Sequence, residues 1–228
     1  MVVPEAALEA VALDFANGVA DLLQQTVADD PPITAAVQGN RVVVAAFNEQ
    51  GDETSIPLKV AGEKRLALRV RYLCSWDSSG AFLAIAKSTF TVSLQVLTEP
   101  LVRFDYDRDR LWAASHVQVH GESSALGYAL ATRALTKPPK TQVLHLPTGG
   151  KRFRPSLEDI LEFAIHDLAV EAKVGWQLRI EEGRRNWQHI QLAAAIRDAI
   201  RSEPDTAPEV LRQKIDDILS SLSPDATG

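Results

Sequence analysis

The chain has 228 residues, 46% hydrophobic and 24% charged, with 24 Lys+Arg against 30 Asp+Glu and one cysteine. That is the balance of a soluble globular protein, long enough to bury roughly 70% of its unfolded surface without a disulfide or a structural metal. The net charge of −6 argues against a general nucleic-acid binder, and no apolar run reaches the ~20 residues of a membrane-spanning helix.

Residues 4–27 are predicted to form a helix, because Leu8, Val11, Phe15, Val19 and Leu22 recur at spacings of three and four. Asp29-Asp30-Pro31-Pro32 ends it. Such a stripe docks on a sheet, on another helix, or on a second copy in a homodimer. From residue 40 the period changes to two. Strands are expected over Arg41–Phe47, over Ile56, Leu58 and Val60, and over Leu66–Tyr72, where Arg65, Arg69 and Arg71 occupy the outer face. After the turn Asp77–Gly80 come strands through Phe82–Leu94, Leu101–Tyr106 and Trp112–His120, joined by connections too short for helical crossovers. Cys74, between Leu73 and Trp76, reads as a packed thiol rather than a nucleophile.

Beyond Gly121 the pattern turns helical. A short helix is expected around Leu126–Ala134, a short strand over Thr141–Leu146, and a helix from Ser156, where Ser-x-x-Asp makes a capping box with Asp159. Two further helices follow, about 184–202 and 207–222. The expectation is one α+β domain over residues 1–228: an N-terminal helix (1–35), an antiparallel, basic sheet core of about six to seven strands (36–155) and C-terminal helices (156–228).

The charge is unevenly spread. Residues 1–60 carry 9 acidic and 2 basic groups, residues 61–154 carry 7 and 14, and residues 155–228 carry 14 and 8. The middle is therefore net +7 between acidic ends. Either acidic helices pack on the basic sheet and neutralise it, or the basic face is open to a phosphate-bearing ligand such as RNA, or to an acidic protein partner.

Two stretches are candidates for chemistry. In His116-Val117-Gln118-Val119-His120-Gly121, alternation puts His116 and His120 on one face, and the strand rise separates them by roughly 13 Å, too far to share one zinc. A histidine acid or base remains, and no metal or other cofactor is expected. In His145-Leu-Pro-Thr-Gly149-Gly150-Lys151-Arg152-Phe-Arg154-Pro-Ser156, paired glycines let a backbone approach a ligand, and Lys151, Arg152 and Arg154 can neutralise phosphate beside a helix N-terminus. Glu158 and Asp159 in the first helical turn offer those cations an internal partner instead. Asp105, in the alternating-charge run Arg103–Arg110, can supply a carboxylate to the histidine strand.

The succession Arg103-Phe-Asp105-Tyr, His116-x-x-x-His120-Gly and His145-Leu-Pro-x-Gly-Gly-x-Arg-Phe-Arg-Pro-x-Leu-Glu-Asp resembles an uncharacterised bacterial family common in actinobacteria. More distantly, the histidine strand is similar to that of TumE-type toxins of toxin–antitoxin pairs. The resemblance covers roughly residues 101–165, with His116 and His120 as the matching positions. It implies a bacterial cytoplasmic protein, a toxin acting on RNA and neutralised by a neighbouring antitoxin. The N-terminal Met-Val-Val-Pro-Glu-Ala-Ala has no basic or apolar leader character, which agrees with a cytoplasmic location.

The resulting expectation is a metal-independent phosphodiesterase or RNase in which His116, His120 or His145 moves the proton. Lys151, Arg152 and Arg154, with Gly149 and Gly150, would hold phosphate. The alternative is a non-catalytic binding module, an antitoxin, immunity or chaperone-like protein. It would hold a cognate partner through Arg69, Arg71 and the basic face, or through the amphipathic terminal helices.

Overall fold

The computed structural model describes residues 5–77, 80, 82–97, 99–121, 146–148, 154–202, 209, 210 and 213. The chain falls into two compact units, Met1–Gly183 and Arg184–Gly228. The first is α+β. Helix α1 (Glu5–Thr26) precedes strands β1 (Ile33–Gln38), β2 (Arg41–Ala46), β3 (Ile56–Val60), β4 (Glu63–Trp76), β5 (Leu83–Leu94), β6 (Pro100–Asp107), β7 (Ser115–Val119) and β8 (Leu146–Pro147). Helices α2 (Leu157–Asp167) and α3 (Trp176–Ser202) follow, with α3 running on into the second unit, where Ile190 and Leu192 are exposed. The expected short helix near 126–134 and most of the strand before Leu146 lie outside the described residues, as does most of the helix expected over 207–222. No described helix is long and apolar enough to cross a membrane.

The eight strands form one antiparallel sheet in the order β1-β2-β4-β5-β6-β7-β8, with β3 paired to the first half of β4. Beta-strand β1 is an addition to the sequence expectation. Ile33, Thr34 and Val37 are β-branched, but Ala35-Ala36 interrupts the apolar–polar alternation, and pairing with the valine run of β2 completes the strand. On one face, Val42, Val44, Leu66, Leu68, Val70, Cys74, Phe90 and Val92 are buried. Helix α1 covers this face, as does α2 through Ile160, Leu161 and Ala164, and Ile180 of α3 joins the same core. Edge-on contacts of Tyr72 with Phe15 and Phe90, at 5.0 and 5.3 Å between centroids, tie α1 to β4 and β5.

The docking stripe of α1 differs from the expected one. Leu8, Ala12, Ala16, Val19 and Leu23 are buried, whereas Val11 is exposed and Phe15 and Leu22 are half-buried. The two alanines let the helix axis approach the sheet, and the bulkier residues flank the contact. The start of α2 is as expected: Ser156 N donates to Asp159 Oδ2 at 2.8 Å, the reciprocal half of the capping box. Helix α3 begins at Trp176, eight residues before the expected 184, directly after Gly175, whose φ of +81° sets the turn.

Candidate functional site

Strand register assembles the polar face of the sheet. Arg71 of β4 pairs with Thr89 of β5, Thr89 with Asp105 of β6, Asp105 with His116 of β7, and His116 with Pro147 of β8. The neighbouring row on the same face is Arg69, Thr91, Arg103 and Gln118. Asp105, a candidate carboxylate in the sequence, thus stands directly across from His116. Thr89 Oγ1 donates to Asp105 Oδ1 at 2.9 Å, Arg103 Nε lies 2.7 Å from Asp105 Oδ2, and His116 Nε2 lies 3.7 Å from the same oxygen. The Arg103 contact is an ion pair off the hydrogen-bond line, since its Nε–H finds no well-aligned acceptor. His116 Nδ1 sits 2.9 Å from the Ala113 carbonyl, which can only accept, so Nδ1 carries the proton. The imidazole is only 3% exposed; the Ala113 carbonyl holds it through Nδ1, and the Asp105 carboxylate faces Nε2 beyond hydrogen-bond distance.

Two other cations of this face also have carboxylate partners. Arg71 Nε pairs with Glu53 Oε1 at 2.9 Å and Lys87 Nζ with Asp107 Oδ2 at 2.8 Å. Arg69 is exposed, with no carboxylate partner among the described residues. On the face opposite α1 and α2, Arg71, Lys87 and Arg103 are therefore each paired with a carboxylate. Desolvation raises the Asp107 carboxyl, but the Lys87 ammonium, the Asp109 amide and the Arg110 charge outweigh it and leave it below the usual carboxylate range.

His120 follows β7, its amide donating to Leu101 O at 2.8 Å, and its two ring nitrogens are buried without a hydrogen-bond partner among the described residues. No group of three metal-ligating side chains occurs among the described residues. His145, Gly149, Gly150, Lys151 and Arg152 lie outside the described residues. Arg154 is described, and it does not join His116. Its guanidinium lies 4.1 Å over the Tyr106 ring, and Tyr106 follows Asp105 in β6, so its side chain projects from the opposite, helix-covered face.

The sequence joins these two strands through Asp107–Arg110, and the structure extends that turn to Ala114, because β7 begins only at Ser115. Trp112, expected in a strand, lies instead at the tip of this connection. Asp107 Oδ1 accepts from the Asp109 amide at 3.1 Å, the Asp107 amide donates to Ala114 O at 2.8 Å, and Ala113 has φ +49°. With Lys87 on Asp107 and His116 on the Ala113 carbonyl, the turn is braced at its base. It presents Leu111 fully exposed and Trp112 72% exposed, between Arg108 and Arg110 on one side and Ala113 on the other. The available signal was Arg-Asp-Arg-Leu-Trp, a charged turn followed by two large apolar residues with no alternation.

Comparisons with protein-family models, with curated proteins and with solved structures return no match.

Proposed function

We propose that this protein is a non-catalytic binding module that docks on an acidic protein partner through the β6–β7 turn. One observation carries the reading: Leu111 and Trp112 stand in solvent on a turn braced at its base by Asp107, Lys87 and His116. Large apolar side chains held out on a rigid base meet a partner at little entropic cost, and Trp with flanking Arg is the composition of interface anchors. Arg108 and Arg110 beside the tip call for a pocket with an acidic rim. In this reading His116 braces the turn and moves no proton.

A second reading rests on the alignment of Asp105 and Arg103 with His116 Nε2, which is the apparatus of an acid–base site for a phosphodiester, as in an RNase-like toxin. One set of experiments separates the two. A photo-crosslinking residue at position 112 identifies the partner. Titration of that purified partner should then show at least about thirtyfold weaker binding for Leu111→Ser or Trp112→Ser than for the wild type, the loss typical of an anchor residue. Equal affinities would sink the docking reading. Growth arrest on expression, relieved by His116→Ala in a folded variant, would establish the toxin reading in its place.

A further inference from the structure

We propose that β1 is a self-association edge: two copies of this chain pair their β1 strands antiparallel about a two-fold axis at Ala35, joining their sheets into one. The β1–β2 hairpin fixes which backbone groups are free. It closes at Gln38 and Arg41 through the two-residue turn Gly39-Asn40, and at its open end the Phe47 amide donates to Pro32 O at 2.9 Å. Bonded pairs alternate along an antiparallel ladder, so the backbone groups of Pro32, Thr34, Ala36 and Gln38 face β2, and those of Ile33, Ala35 and Val37 face away from the sheet. The Ile33 amide turns back to Pro31 O at 2.7 Å. The amides of Ala35 and Val37 and the carbonyls of all three meet no hydrogen-bond partner among the described residues.

Free strand edges are ordinarily guarded by proline, charge, bulges or a covering segment, and β3 has all four. It carries Pro57 and Lys59, its register shifts between Leu58 and Lys59, and the Glu171 amide closes on Lys59 O at 2.9 Å. Strand β1, Ile-Thr-Ala-Ala-Val-Gln, has no proline and no charged residue, and its register with β2 runs without a bulge. An edge with none of these devices is open to another strand.

Symmetry and charge select a second copy as that strand. With Ala35 opposite its own equivalent, Val37 of each copy stands opposite Ile33 of the other. Four hydrogen bonds then form, from each Ala35 amide to the other Ala35 carbonyl and from each Val37 amide to the other Ile33 carbonyl. The same two-fold brings Asp30, just before each β1, to the hairpin end that carries Arg41 of the other copy. Both residues are exposed, and neither makes an ion pair among the described residues. The six residues of β1 span about 20 Å, so Asp30 and Arg41 do not meet within one chain. On the covered face the two α1 helices come side by side. Leu13, 44% exposed, lies on the flank of α1 opposite Phe15, which packs on Tyr72 of β4, so it faces the β1 side where the second α1 would cover it. Strand β1 is at the far end of the sheet order from β6 and β7, so this association is independent of the docking reading.

The test is sedimentation velocity of the full chain over a concentration series. The wild type should pass from monomer to dimer between about 1 and 500 μM, as befits a small edge interface. Ala35→Pro removes an outward amide without breaking a β1–β2 bond, and should weaken dimerisation at least about a hundredfold. Arg41→Asp, which sets like charges together at both ends of the joint, should weaken it about tenfold, and adding Asp30→Lys should restore it. Thermal unfolding checks that each variant is folded; if Ala35→Pro is not, the charge swap decides alone. A wild type that stays monomeric throughout overturns the proposal. So does a dimer that Arg41→Asp or a folded Ala35→Pro leaves at wild-type affinity, or one that the double charge swap fails to recover.

Discussion

Asp105 is the hub of the outer face, and replacing it by alanine measures what that hub contributes. The substitution removes the acceptor of the Thr89 hydroxyl, a bond to a charged group worth about 1.5–3 kcal/mol. It also removes the partner of Arg103, which is 44% exposed and can rehydrate, so that loss is closer to the 0–1 kcal/mol of a surface pair. His116 loses the group facing Nε2 but keeps the Ala113 carbonyl on Nδ1. The expected cost is about 2–4 kcal/mol, or a fall in Tm of roughly 5–15 °C for a domain of this size. Urea and thermal unfolding followed by circular dichroism read it directly, and Asp105→Asn, which retains an acceptor for Thr89, should lose less. A cycle with Thr89→Val sharpens the test: once Asp105 is alanine, removing the Thr89 hydroxyl should cost almost nothing further. If Asp105→Ala costs under about 0.5 kcal/mol, or if the two substitutions simply add, the carboxylate is not the hub that the distances imply.

Two further outcomes follow from the titrating groups. Because the Asp107 carboxyl is held below its usual range in the fold, its stabilisation is complete above about pH 5 and drains away as the pH falls through the depressed value. Asp107→Asn should lower stability at neutral pH and flatten the acid limb of the stability profile between about pH 5 and 2, and an unchanged acid limb contradicts the Lys87–Asp107 clamp. Burial pushes the Cys74 thiol up to about 12, so native protein at pH 8 should resist iodoacetamide while urea-unfolded protein reacts fully. Rapid alkylation of the folded chain would place Cys74 outside the core.

The α+β class, the antiparallel order, the extent of α1 and the capped start of α2 were legible because each rests on a local rule: period, turn chemistry or a cap. Strand β1 was harder to read, since Ala35-Ala36 breaks the alternation between its β-branched residues and β2 supplies the pairing. The early start of α3 had only Gly175 to announce it. The docking face of α1 was read from bulk, whereas closeness of approach, set by Ala12 and Ala16, decides which residues are buried.

Period-two alternation already implies that His116 and His120 share a strand face, and composition by segment already implies a basic middle. Which residue stands across from which is a matter of register between strands far apart in the chain. Only the tertiary structure could put Asp105 opposite His116, Thr89 opposite Asp105 and Glu53 against Arg71, and so decide that Arg71, Lys87 and Arg103 of the outer face each meet a carboxylate. It alone could separate Arg154 from His116, because one step along β6 moves a side chain through the sheet. Charge along a chain is additive, and its effect in a fold depends on distances that pairing sets.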